Sequence, residues 1–150
     1  MLTQPGAPII YYGDEFGMPG AGDPDNRRPM RFGDELNANE SQLLESVRIL
    51  GRAAHCDPSL RHGERIGIKA EKELLVYALS DKNEAPAFVL LNGSAKAKRI
   101  SFTLPKKLKS FNNVEYSDIW NNPLEKDGET FTMTLPPLSG AVLISPQCLE

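Results

Sequence analysis

Lysine is missing from the first 60 residues, and the whole chain holds only two histidines, two cysteines and one tryptophan. Each scarcity closes a class of function. His55 and His62 do not make the HExxH spacing of a metal site, so solvated or packing roles are expected for both. Cys56 and Cys148 stand far apart with no CxxC spacing, which leaves no support for a zinc site or a redox motif. Two readings of the pair stand, with two free thiols preferred over a single disulfide linking them. No cofactor and no metal is expected. No apolar run approaches the ~20 residues of a membrane helix, and no basic-then-apolar leader opens the chain, so neither a membrane span nor a signal peptide is expected. A net charge of −3 gives no general attraction to nucleic acid or anionic membrane.

What is present reads as globular. Hydrophobic residues make up 40% and charged residues 25% of the 150 positions, enough for one domain or slightly more. Charge is unevenly spread. Residues 1–60 hold five arginines against nine acids, a net of −4, while residues 61–150 come to +1. The shift coincides with a change of hydrophobic period and predicts two units, 1–60 and 61–150.

"PIIYYG" (8–13) is an unbroken apolar run, the pattern of a strand covered on both faces, yet nothing in residues 1–40 could pair with it in parallel. Residues 14–38 lack periodicity and read as a long loop with short helical turns, of a length that is usually functional or disordered. "NESQLLESVRILGRAAH" turns helical, with Asn39 and Gln42 as a capping box and Leu43, Leu44, Val47, Leu50 and Ala54 on one face. Asp57-Pro58 stops it. From residue 64 the period drops to two. Ile66 and Ile68, residues 73–79, 87–91, 100–104, Val114 and Tyr116, 131–135 and 141–144 make about seven strands, separated by turn signals that include Asp81-Lys82-Asn83, Asn92-Gly93 and Asp127-Gly128. The expected fold class is mainly β: an antiparallel Greek-key β-sandwich preceded by one βα unit.

Residues 2–32, "LTQPGAPIIYYGDEFGMPGAGDPDNRRPMRF", resemble the eighth barrel strand and following loop of α-amylase-family glycoside hydrolases, with their "PGxPxIYYGxE" run and "DPxxR" segment. The continuation "RRPM" is similar to neopullulanases and cyclomaltodextrinases, and "DPSLRHGE" (57–64) looks like the family's last barrel helix and its exit. The resemblance implies that the lone strand is the eighth of a truncated (β/α)₈ barrel whose other seven units would precede Met1. Met1 is read as an introduced or native start and Leu149-Glu150 as a cloning remnant. The loop 14–38 then lies at the barrel rim where active sites sit.

The resemblance assigns substrate binding to Asp23 and Arg27, which match the Asp and Arg of "DPxxR" and would hold a glucose unit on the non-reducing side of the cleaved bond. The residue types suit this. A carboxylate accepts from adjacent sugar hydroxyls and a guanidinium donates in a planar fork. A plainer reading pairs Asp23 with Arg27. Asp25, Asn26 and Arg28 read as braces of the loop, and the family's "GxE" glutamate, here Glu15, as structural.

A retaining glycosidase needs two carboxyl groups about 5–5.5 Å apart. The family draws them from strands four, five and seven, and their motifs are absent here. The isolated chain is therefore expected to have no catalytic residues and no activity, while the parent polypeptide would act on α-glucans by hydrolysis or transfer. Expected partners are an α-glucan oligosaccharide through the parent enzyme, the missing N-terminal barrel, and a second copy through exposed residues 8–12, with no nucleic acid and no membrane. The competing readings are a stand-alone carbohydrate-binding β-sandwich and an anion- or nucleic-acid-binding β-domain. The second would use Lys96, Lys98, Arg99, Lys106, Lys107 and Lys109, which otherwise read as charged strand edges. Trp120 reads as packing a turn rather than stacking on a sugar.

Overall fold

The computed structural model describes residues 2–82 and 84–148. The readings of Met1, of Leu149-Glu150 and of Asn83 in its turn lie outside them. Helix α1 (Ala38–Cys56) and the short α2 (Pro58–His62) precede eight strands: β1 (Glu64–Glu71), β2 (Leu74–Ser80), β3 (Ala87–Asn92), β4 (Lys98–Thr103), β5 (Ser117–Asp118), β6 (Leu124–Asp127), β7 (Thr130–Leu135) and β8 (Ser139–Ile144). They form a five-stranded sheet in the order β1-β2-β3-β8-β5 and a three-stranded sheet in the order β4-β7-β6, with every described pair antiparallel. The mainly antiparallel fold class read from the sequence holds. The strand count rises by β6, whose single half-buried apolar residue, Leu124, gives no alternation to read. Val114 and Tyr116 lie just before β5 rather than in a strand.

Three layers explain two kinds of strand sequence. The large sheet is covered on both faces. Leu74, Val76, Ala78, Phe88, Leu90 and Leu143 meet the small sheet, while Tyr77, Leu79, Val89, Val142 and Ile144 join Ala53 of α1 and Leu60 of α2. Its strands are therefore apolar throughout. The small sheet is buried on one face only, and Ile100, Phe102, Phe131, Met133 and Leu135 alternate with threonines and serine. Phe88 centres the sandwich core, with Tyr116 edge-on at 4.9 Å and Phe102 at 5.6 Å between centroids.

Helix α1 starts two residues before the expected cap. Asn37 Oδ1 accepts the Asn39 and Glu40 N–H groups at 3.0 and 3.1 Å, and Glu40 Oε2 accepts Asn37 N–H at 2.9 Å. Both Asn37/Glu40 and Asn39/Gln42 have capping-box spacing, and the pair with the ionised carboxylate, which also takes Arg31, forms it. At the far end Asp57 Oδ1 accepts Leu60 N–H at 2.9 Å and caps α2, with Pro58 in its first turn. Burial pushes the Asp57 carboxyl up, its hydrogen bonds opposing. Gly63 then passes tightly against β2. A Cβ there would lie 2.3 Å from the Ser59 carbonyl oxygen and 2.6 Å from Ser80 N, so no other residue fits without backbone movement.

Pro8–Tyr12 forms no strand, and Ile9 is 82% and Tyr11 49% exposed. Among the described residues no strand pairs with this run, and its apolar side chains lie open. Just before it, the chain is pinned. The Tyr77 hydroxyl, on a fully buried side chain, donates to the Thr3 carbonyl at 2.9 Å and accepts from Gln4 Nε2 at 2.8 Å. The Arg65 guanidinium covers the same ring at 4.4 Å. Tyr77→Phe removes these bonds without a cavity and should cost about 0.5–1.5 kcal/mol. Amide exchange at residues 3–5 should speed up while β2 and β3 stay protected. Unchanged exchange at residues 3–5 would contradict this anchoring.

Candidate functional site

The loop between residues 14 and 38 is built from three short 3₁₀ turns, Asp14–Phe16, Asp25–Arg27 and Gly33–Glu35, none long enough to order itself. Its order comes from side chains. Phe16 is buried in the turn that packs against α1, and Glu15 Oε2 accepts Gly13 N–H at 2.8 Å, a structural use of that carboxylate. Asp25 Oδ2 accepts Ala21 N–H at 2.9 Å while Oδ1 takes Arg28 Nε at 2.6 Å. These bonds, led by that from Arg28, hold the Asp25 carboxyl below the usual carboxylate range. Tyr12 donates to the Arg28 carbonyl at 3.1 Å. Asp25 and Arg28 therefore brace the loop.

A second brace has no counterpart in any sequence motif. Arg31 donates to Glu40 through both terminal nitrogens, at 3.2 and 2.5 Å, and lies 5.4 Å over the Phe16 ring. Glu40 is the residue that closes the helix cap. One carboxylate thus ties the loop to the first turn of α1, and the Arg31 bonds hold it below its ordinary range. Nine residues separate the two, so no local spacing signals the pair.

Asp23 and Arg27 come together at the exposed crest. Arg27 Nε donates to Asp23 Oδ1 at 2.7 Å and Nη2 donates to the same oxygen, across a cis Asp23–Pro24 peptide. The side chains are 60% and 65% exposed. Sharing one oxygen leaves Asp23 Oδ2 and Arg27 Nη1 free of protein partners among the described residues. The pair therefore keeps one free acceptor and one free donor at the crest. Next to them Met18, Pro19, Arg28, Pro29, Arg31 and Glu40 line an open groove of about 470 Å³.

The other sequence candidates resolve differently. Lys98 lies 3.9 Å from Glu73, Arg99 2.7 Å from Glu125 and Lys109 3.1 Å from Glu129, so half of the basic stretch is neutralised by acids on neighbouring elements. Trp120 is half-buried against the cluster beneath the helices and packs a turn. Cys56 and Cys148 are joined in a disulfide with Cα atoms 5.7 Å apart, correcting the preference for free thiols. Sequence separation hid this. The fold brings the end of α1 and the turn after β8 together on the helix-covered face of the large sheet.

No protein-family model matches the chain. Curated relatives do. A cyclomaltodextrinase of Geobacillus thermopakistaniensis is 33% identical over 138 residues, 91% of this chain and 22% of that protein. Neopullulanase 2 of Thermoactinomyces vulgaris is 36% identical over 106 residues, 70% of this chain and 18% of that protein. The chain thus spans about a fifth of the length of these relatives. Among solved structures, an α-amylase of Geobacillus thermoleovorans complexed with acarbose superposes on 95% of this chain and 30% of its own, with a TM-score of 0.75 at 26% identity.

Proposed function

We propose that this chain, which is homologous to the C-terminal portion of α-amylase-family glycoside hydrolases, is the C-terminal piece of an enzyme acting on α-glucans. Residues 1–60 would supply the last strand, rim loop and helix of a (β/α)₈ barrel, and residues 61–150 the β-sandwich that buttresses it. The observation that carries this reading is the exposed run Ile9–Tyr12 together with a helix, α1, in which Ala53 is the one fully buried residue. Apolar side chains on a strand-like run and a helix face call for a covering layer, and the remaining barrel would provide it.

In that enzyme Asp23 and Arg27 would bind a glucose unit away from the scissile bond. Asp23 Oδ2 would accept from a sugar hydroxyl while Arg27 Nη1 donates to a neighbouring one. The braces Asp25–Arg28 and Arg31–Glu40 would hold the pair at the rim. The bond chemistry would belong to carboxylates of the preceding strands, positioned by the parent polypeptide and not by this chain.

The test compares three proteins on maltooligosaccharides: the parent polypeptide, the parent lacking residues 1–150, and the isolated chain. Activity is expected in the parent alone. Turnover by the isolated chain, purified beside an inactive mock preparation, would overturn the reading. So would a reading frame upstream of residue 1 that encodes no preceding βα units.

A further inference from the structure

The Cys56–Cys148 disulfide closes a loop with a sequence separation of 92, and that loop contains α2 and all eight strands. Its two ends are unequal. Cys56 is the last residue of α1 and is exposed. Cys148 is half-buried, in a 3₁₀ turn (Pro146–Cys148) directly after β8, a central strand of the large sheet. The non-covalent hold around the bond is modest: among the described residues Ala53 is the one fully buried residue of α1, the Cys148 N–H bonds to the Ser145 carbonyl at 3.3 Å, and Cys148 packs at the margin of the cluster beneath the helices. A cavity of about 320 Å³ opens at the bond, lined by Asp57, Pro58, Glu84, Ala85, Ser145 and Gln147 together with the two cysteines.

We propose that this cavity is a thiol–disulfide exchange site, at which a small dithiol opens the Cys56–Cys148 bond in the folded protein and releases the end of α1 from the sandwich. The thiolate of the dithiol attacks Cys56 Sγ, on the more exposed of the two residues. The S–S bond breaks and Cys148 leaves as a thiolate that takes a proton from water. The second thiol of the dithiol then closes on the first, expelling Cys56. The dithiol is oxidised to its cyclic disulfide and two protein thiols result, so atoms and electrons balance. Access explains the direction: Cys56 is exposed and Cys148 half-buried, so the incoming thiolate reaches Cys56 and Cys148 leaves. Glu84 lines the same cavity and disfavours a thiol that carries further negative charge.

The consequence is a change in what α1 is attached to. With the bond closed, the helix is fixed at both ends: its last residue is bonded to the sandwich, and its first turn holds the loop through Glu40 and Arg31. With the bond open, the last turn of α1 and residues 145–148 depend on the partly buried Ile49, Leu50 and Ala54. The inference concerns this chain alone and stands or falls apart from the parent enzyme's substrate.

The test uses the full 150-residue chain. Purified without reductant, it should titrate no free thiol. Added dithiothreitol should release two thiols with no denaturant present, lower the Tm by about 10 °C, as expected for opening a loop near 100 residues, and speed amide exchange at 53–57 and 145–148 while β2 and β3 stay protected. The double variant Cys56→Ser/Cys148→Ser should match the reduced chain, and reduction of the unmodified chain serves as the readout if that variant does not fold. Glu84→Gln should speed reduction by glutathione, whose attacking thiolate carries further negative charge, by up to about fivefold, and speed reduction by 2-mercaptoethanol by less. Two titratable thiols in the chain as purified, a bond that yields only after unfolding, or a Tm unchanged by reduction would each overturn the proposal.

Discussion

Asp118→Ala should lower the unfolding free energy of the chain by about 3–6 kcal/mol, the largest loss expected for any single polar side chain here. Asp118 is 1% exposed. Its Oδ1 accepts Val142 N–H at 2.8 Å, and its Oδ2 accepts Trp120 N–H at 3.2 Å, Asn122 N–H at 3.1 Å and the Asn122 amide at 2.6 Å. Strand β5 pairs with β8 over only two residues, Ser117↔Ile144 and Asp118↔Leu143. The carboxylate therefore takes the place of further ladder bonds and fastens the turn between β5 and β6 to a central strand. Each hydrogen bond to an ionised group contributes about 1.5–3 kcal/mol, and removing the acceptor leaves buried N–H groups, Val142 above all, with no partner. Denaturant unfolding measures the loss. Asp118→Asn should fall between, because an amide oxygen can still accept from Val142 while its NH₂ faces the Asn122 donors. A loss under 1 kcal/mol for the alanine variant would mean that water enters and satisfies the site, and that the carboxylate is not the fastening.

The same residue shows what sequence could and could not reveal. Asp118 lies in "SDIWNNP", which reads as a turn. Nothing local says that its partner is Val142, 24 positions away. The strands were legible where burial is one-sided, because alternation in 100–104 and 130–135 reports directly which face is wet. The runs at 74–79 and 87–91 were legible as strands, but their second buried face was not used. Tyr77 and Leu79 point under Ala53 and Leu60, and a continuous apolar run in an otherwise alternating sheet is the signal for that helical cover. The two-sided pattern also marks residues 8–12, where the structure forms no strand. At the loop, composition and the "DPxxR" pattern point to Asp23 and Arg27, and Asp25, Asn26 and Arg28 read as braces, though not as the Asp25–Arg28 pair that the structure forms. The Arg31–Glu40 tie and the disulfide stayed hidden because both are made by tertiary proximity rather than by spacing.

In the parent enzyme Asp23→Ala and Arg27→Ala should each lower kcat/KM on long maltooligosaccharides by about tenfold to a hundredfold, the equivalent of one charge-assisted hydrogen bond. The geometry sets the expectation. The two side chains orient each other through one Asp23 oxygen, which leaves Oδ2 and Nη1 available to one sugar. Such contacts do no bond chemistry, and their energy serves to hold and orient the sugar at the reacting centre. Three further outcomes follow. A substrate too short to reach the loop should be nearly indifferent to either change. The double variant should fall short of the product of the single losses, because both groups share one ligand and each fixes the other. Arg27→Lys should recover little, since an ammonium cannot reproduce the planar fork that donates to Asp23 and to the sugar together. The unfolding midpoint of the isolated chain should barely move in any of these variants, because an ion pair with both partners more than half exposed contributes little to folding. Activity and stability therefore separate the two roles. Equal losses on short and long substrates, or a midpoint that falls in step with activity, would leave Asp23 and Arg27 as braces of their own loop and would move the search for the sugar contact to Arg28 and the adjoining groove.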